Sequence, residues 1–129
     1  MIIPLLLLFA TAFVAPSHLS ADTANTLSQN PETLSAYVDE YYADTPILAK
    51  IAWCESRMRQ WGKDGKIFRG SVNKSDIGIM QVNVAYHEDK ATDIGINLYT
   101  LVGNLAYAKD LYKREGTKPW ASSQACWGK

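Results

Sequence analysis

The chain has 129 residues, with 13 Lys and Arg, 13 Asp and Glu, two cysteines and two histidines. That length fits one ordinary domain. Zero net charge argues against holding nucleic acid by bulk positive charge, and so few cysteines and histidines exclude the usual structural zinc modules.

Residues 1–21 hold no charged side chain, and 15 of them are apolar. The apolar run Ile2–Ala15 spans 14 residues, short of the roughly 20 a membrane-crossing helix needs. It reads as a secretory signal with Leu19-Ser20-Ala21 as the cleavage site, although no Lys or Arg precedes the run. An uncleaved N-terminal anchor is the alternative. The expected product is an exported protein, secreted, periplasmic or in the cell wall. Export bears on Cys54 and Cys126, which allow a single disulfide or two buried thiols. A bridge closing a loop of this length stabilises by roughly 4 kcal/mol through chain entropy.

Residues 22–29 are polar, without hydrophobic periodicity, and read as a flexible lead-in to a domain over 30–129. Asn30-Pro31 predicts a helix start, with Leu34, Tyr37, Val38 and Tyr41 on one face to about residue 42. Thr45-Pro46 predicts a second helix, running to about Trp61. Residues 62–76 read as a Gly-, Lys- and Asn-rich loop with strand tendency over Lys66–Arg69. A short turn-helix is expected around Glu88–Asp93, stopping at Gly95. A last long helix is expected over about 99–115, with Leu101, Val102, Leu105, Ala108 and Leu111 apolar and a stop at Gly116. The expected fold class is mainly α, with one long central loop or small hairpin.

Neutrality conceals segregation. Residues 22–44 carry five acids and no base, whereas residues 50–74 carry seven bases and two acids. The basic stretch reads either as a solvated loop or as a cleft rim attracting an acidic polymer.

On the second helix, Ile47, Leu48, Ile51, Ala52, Cys54, Met58 and Trp61 form an apolar stripe, and Glu55 falls inside it. A carboxylate there pairs at the core margin with a base or, left unpaired, holds its proton to higher pH. The second behaviour suits a general acid. Downstream, Ser75-Asp76-Ile77-Gly78-Ile79-Met80-Gln81-Val82-Asn83 sets an acid before a Gly turn, then two amides able to bind sugar hydroxyls. Two carboxylates flanking a groove are the usual apparatus of glycoside cleavage. Asp76 reads equally as a loop acid satisfying backbone N–H groups.

These motifs resemble the lysozyme-like superfamily. Cys54-Glu55-Ser56 followed by Gly78-Ile79-Met80-Gln81 is similar to the Glu-Ser and Gly-Leu-Met-Gln motifs of soluble-type lytic transglycosylase domains. Asn104-Leu105, Ala108 and Leu111-Tyr112 loosely resemble that family's later helix. Residues 75–83 also resemble a stretch of animal lysozymes. Cys54-Glu55-Ser56 with Trp120 and Cys126-Trp127 resembles resuscitation-promoting factors, whose disulfide joins such cysteines.

The resemblance implies a lysozyme-like α (α+β) fold with a cleft for peptidoglycan. With the leader removed His87 is the only histidine, which disfavours a metal, and a monomer without cofactor is expected. Glu55 matches the catalytic acid, with Asp76 as the lysozyme-type second carboxylate. Ser56, Met80 and Gln81 match positions that support the acid or line the groove, and Gly78 and Asn83 are expected to bind substrate beside them. The family's Tyr-Asn-Ala-Gly stretch is replaced here by Trp-Ala-Ser-Ser-Gln-Ala-Cys. Its cleft tyrosine is therefore absent or supplied by Tyr86 or Tyr107, and Trp120 is expected to stack on a sugar ring. His87 reads as a cleft-edge or surface residue. A glycan-binding or inhibitory protein on the same scaffold is the non-catalytic alternative.

Overall fold

Two prolines open the first two helices. Pro31 begins α1 (Pro31–Tyr41) and Pro46 begins α2 (Pro46–Ser56), since a residue whose missing N–H would be unpaired anyway fits the first turn. The computed structural model describes residues 31–129. The proposed signal or anchor, the lead-in over 22–29 and the Asn30 cap lie outside the described residues. Thr45 precedes α2 without bonding the helix through its side chain.

The second helix is shorter than its apolar periodicity predicts, ending at Ser56 rather than near Trp61. Arg57 and Met58 both take left-handed backbone, at φ 55° and 59°. Such a conformation in two successive non-glycine residues is strained, and surrounding bonds must over-determine it. The Arg57 N–H closes on the Trp53 carbonyl, and the Ser56 hydroxyl accepts from the Arg59 N–H at 3.0 Å. The apolar pattern beyond Ser56 still reaches the core through Met58, without a helix.

The central segment is the expected loop, tied by isolated bridges between Trp61 and Ile67 and between Arg69 and Ile77. A two-stranded antiparallel hairpin follows, β1 (Asp76–Ile77) and β2 (Val82–Asn83), in the register Asp76 with Asn83 and Ile77 with Val82. Helix α3 (Val84–Asp93) starts earlier than the short turn-helix the sequence suggested. Asn83 caps it, accepting from the Tyr86 N–H at 3.3 Å. Helix α4 (Leu101–Glu115) is capped by Thr100, whose hydroxyl accepts from the Gly103 N–H at 3.0 Å. A 3-10 segment (Lys118–Ser123) and a final turn α5 (Gln124–Trp127) close the chain. Neither was foreseen as an element.

The architecture is mainly helical around one core, in which Leu34, Val38 and Tyr42 meet Leu48, Ile51, Leu105 and Leu111. Burial raises the Tyr42 phenol's pKa, and its hydroxyl donates to the Leu105 carbonyl at 2.7 Å, satisfying a group that would otherwise be costly to bury. Cys54 and Cys126 form a disulfide joining α2 to α5. Among the described residues, no helix is long and apolar enough to cross a membrane.

Candidate active site

Polar side chains first fix the loop between β1 and β2. Gly78 has φ +72°, and a Cβ there would stand 2.5 Å from Asn104 Nδ2 and 2.7 Å from Gln60 Oε1. Only glycine fits so close beneath the turn. The buried Gln60 amide accepts from the Ile79 N–H at 2.9 Å. Asn104 accepts from the Met80 N–H at 2.9 Å and donates to the Ile77 and Leu98 carbonyls at 3.1 and 3.0 Å. The Ser56 hydroxyl donates to the Ile79 carbonyl at 2.8 Å. This buried network locks the hairpin turn against the end of α2.

Above it runs a groove with two arms. Glu55, Asp76, Gln81 and Ser122 border both. The smaller arm, about 280 Å³, adds Asn83, Tyr86, His87, Glu115 and Trp120. The larger, about 510 Å³, adds Arg57, Arg59, Phe68, Arg69, Asn73 and Lys74. The hairpin register sets Asp76 beside Asn83, whose Nδ2 donates to Asp76 Oδ1 at 2.9 Å.

Glu55 sits at the C-terminal end of α2, half-buried in the lining of both arms. Burial holds its carboxyl pKa above the ordinary value; the Asp76 charge adds to this and the Ser123 hydrogen bond opposes it. Ser123 Oγ lies 2.5 Å from Glu55 Oε1 and accepts from Trp127 Nε1 at 3.0 Å. The Trp120 carbonyl lies 3.2 Å from the same hydroxyl. With Oε1 engaged, Oε2 is the oxygen left to carry an exchangeable proton. No base pairs with Glu55 among the described residues, so the core-margin ion pair the sequence allowed is not formed.

Compared with known protein families, curated proteins and solved structures, the chain matches none.

The residues expected to form the site therefore divide by position. Glu55, Asp76, Gln81, Asn83 and Tyr86 line the groove, Tyr86 being 82% exposed. Gly78 and Met80 are buried beneath it and hold the turn, whereas Ser56 borders the larger arm but is 1% exposed, its hydroxyl bound to the Ile79 carbonyl. Tyr107 is also buried, with its hydroxyl 2.9 Å from His87 Nδ1. It supports the half-buried His87 at the groove edge instead of entering the groove, and burial lowers the His87 pKa. Trp120 borders the smaller arm but is 2% exposed, its Nε1 donating to the Met80 carbonyl at 2.9 Å. It is a wall, and its face is not open for stacking. Trp53, on the side of the second helix away from its apolar stripe, is 51% exposed.

Ser123 was not among the expected residues. A signal for it existed, because a disulfide between Cys54 and Cys126 brings neighbours of one cysteine to neighbours of the other. Among the described residues, no group of three His, Cys, Asp or Glu side chains is placed to hold a metal ion.

Proposed function

We propose that this protein is an exported, peptidoglycan-cleaving enzyme of lysozyme-like fold, acting on the β-1,4 bond between N-acetylmuramic acid and N-acetylglucosamine as a lytic transglycosylase. The observation that carries the reading is Glu55: a half-buried carboxyl with a raised pKa and no ion-pair partner among the described residues, in the lining shared by both arms of a polar groove. A raised carboxyl pKa keeps a proton available for a leaving glycosidic oxygen. The Cys54–Cys126 disulfide is compatible with an extracellular setting.

In this mechanism Glu55 Oε2 gives its proton to the glycosidic oxygen, and the C1–O4 bond breaks. The carboxylate then takes the proton of the muramic 6-hydroxyl, whose oxygen bonds to C1. Glu55 ends as it began, and the product carries a 1,6-anhydro ring. Ser123 holds Oε1 throughout, fixing which oxygen transfers the proton. Gln81 and Asn83 supply amide groups for sugar hydroxyls.

Asp76 supports a second reading, hydrolysis by a lysozyme-type muramidase. It borders both arms with Glu55 and is oriented by Asn83, as a carboxylate stabilising an oxocarbenium-like centre would be. Digestion of purified peptidoglycan with mass analysis of the fragments separates the two, since an anhydro end is lighter by one water. Glu55→Gln should lower kcat by about a thousandfold in either case. Asp76→Asn should leave the transglycosylase rate within about threefold but cost a muramidase about a hundredfold or more. Glycan binding with no fragment release by the native protein would support the non-catalytic alternative.

A further inference from the structure

The two arms of the groove differ in charge. No lysine or arginine lines the smaller arm, where Glu115 stands. Arg57, Arg59, Arg69 and Lys74 line the larger one, where the only acids are the shared Glu55 and Asp76. None of the four cations forms an ion pair among the described residues.

Three of the four are nevertheless held in place. The Arg57 guanidinium lies 5.1 Å from the Trp53 ring centroid, and that of Arg59 lies 4.2 Å from the Phe68 ring centroid. Arg59 Nε also donates to the Ser56 carbonyl at 2.7 Å. Arg69 Nη1 donates to the Lys74 carbonyl at 2.9 Å. The left-handed turn at Arg57 and Met58 sends Arg57 and Arg59 to this arm. All four are exposed, so their mutual repulsion is modest, but together they make the arm positive, and ring stacking leaves guanidinium donors of Arg57 and Arg59 free for an anion.

We propose that the larger arm is a subsite for anionic substituents of the glycan, namely the carboxylates of peptides carried on muramic residues. This rests on the glycosidase reading and adds a direction to it. The peptide-bearing side of the strand next to the scissile bond lies over Arg57, Arg69 and Lys74, and the less substituted side lies in the smaller arm. Peptide-bearing strands are then better substrates than bare ones, and added salt narrows the difference.

The test compares peptide-bearing strands, the same strands stripped by an amidase so that each muramic residue keeps only its lactyl carboxylate, and strands freed of phosphodiester-linked wall polymers. The native protein should favour the first over the second by about tenfold in kcat/KM at low salt. That ratio should fall to within about twofold in the Arg69→Gln, Lys74→Gln double variant. Arg57→Gln is the second variant, should the loop of the double variant fail to fold by circular dichroism.

Binding of each strand type to Glu55→Gln reads the arm without any chemistry. A tenfold binding preference with no cleavage by the native protein would overturn the glycosidase reading and leave the subsite standing. Equal affinity for stripped and peptide-bearing strands would overturn the subsite, as would a preference that survives both sets of substitutions. Weakening only on loss of the phosphodiester polymers would assign the arm to phosphate and overturn the carboxylate assignment.

Discussion

The layer beneath the hairpin turn and the groove floor above it are both polar but differ in charge and in how their groups are satisfied. Beneath, Ser56, Gln60 and Asn104 are buried, and each side chain bonds backbone groups of the turn or its supports. Above, Glu55 has one bonded oxygen, and four cations face the groove without a carboxylate partner. A fully satisfied polar layer gives rigidity, whereas groups left short of partners are available to a ligand. Position relative to the groove decides which role a polar residue takes.

Removing the link between the layers should have the largest effect on stability. The disulfide ties α2, which carries Glu55, to α5 beside Ser123. Replacing Cys54 and Cys126 by serine should lower stability by about 4 kcal/mol. Urea denaturation of the native and substituted proteins checks this, and a loss under about 1 kcal/mol would mean that packing alone holds α5.

Breaking the lower layer comes next. Asn104→Leu leaves the Met80 N–H and the Ile77 and Leu98 carbonyls without their side-chain partner, at a cost of about 3 kcal/mol. If the proposed activity holds, peptidoglycan cleavage should fall with it, because Asp76 and Gln81 flank the freed turn. A variant as stable as the native protein would show the layer to be dispensable.

Part of this division was legible in the sequence. Glu55 stood out because a charge interrupted an apolar stripe, and the mainly helical architecture followed from periodicity and proline starts. The end of α2 was not legible, because Met58 and Trp61 continue the stripe while the backbone turns left-handed at Arg57. Nor could motifs separate Ser56 and Met80 from Gln81 and Asn83. A short motif gives residue order, but only the turn's φ values and the amides of Gln60 and Asn104 decide which side faces the groove. Ser123 depends on a contact across 68 positions, which local pattern does not carry.

The upper layer should show its cost in the pH dependence of stability. Burial raises the Glu55 pKa in the folded state, so between the ordinary and raised values the folded protein binds a proton that the unfolded chain has released. Stability therefore falls as pH rises through that window. Below it Glu55 is neutral in both states, and the contribution vanishes. Glu55→Gln should thus be more stable than the native protein at pH 8 and indistinguishable at pH 3.5. Denaturation midpoints at the two pH values test this, and an equal difference at both would mean that the carboxyl's charge is not the cause.

The finest division lies within Glu55 itself, between the oxygen that Ser123 holds and the one that faces the groove. The Ser123 hydrogen bond lowers the Glu55 pKa against the two raising effects, because a hydroxyl donor favours the charged carboxylate. Ser123→Ala removes the donor, while Trp127 Nε1 keeps the Trp120 carbonyl at 3.1 Å as an acceptor, so the fold loses little. The Glu55 pKa then rises further. Activity that needs the protonated acid is lost as pH climbs through that value, so the alkaline limb of the kcat profile should move to higher pH. Ser123→Thr keeps a hydroxyl and should restore the native limb. A purely packing role would lower activity at every pH and leave the limb in place, and that result would remove Ser123 from the catalytic arrangement.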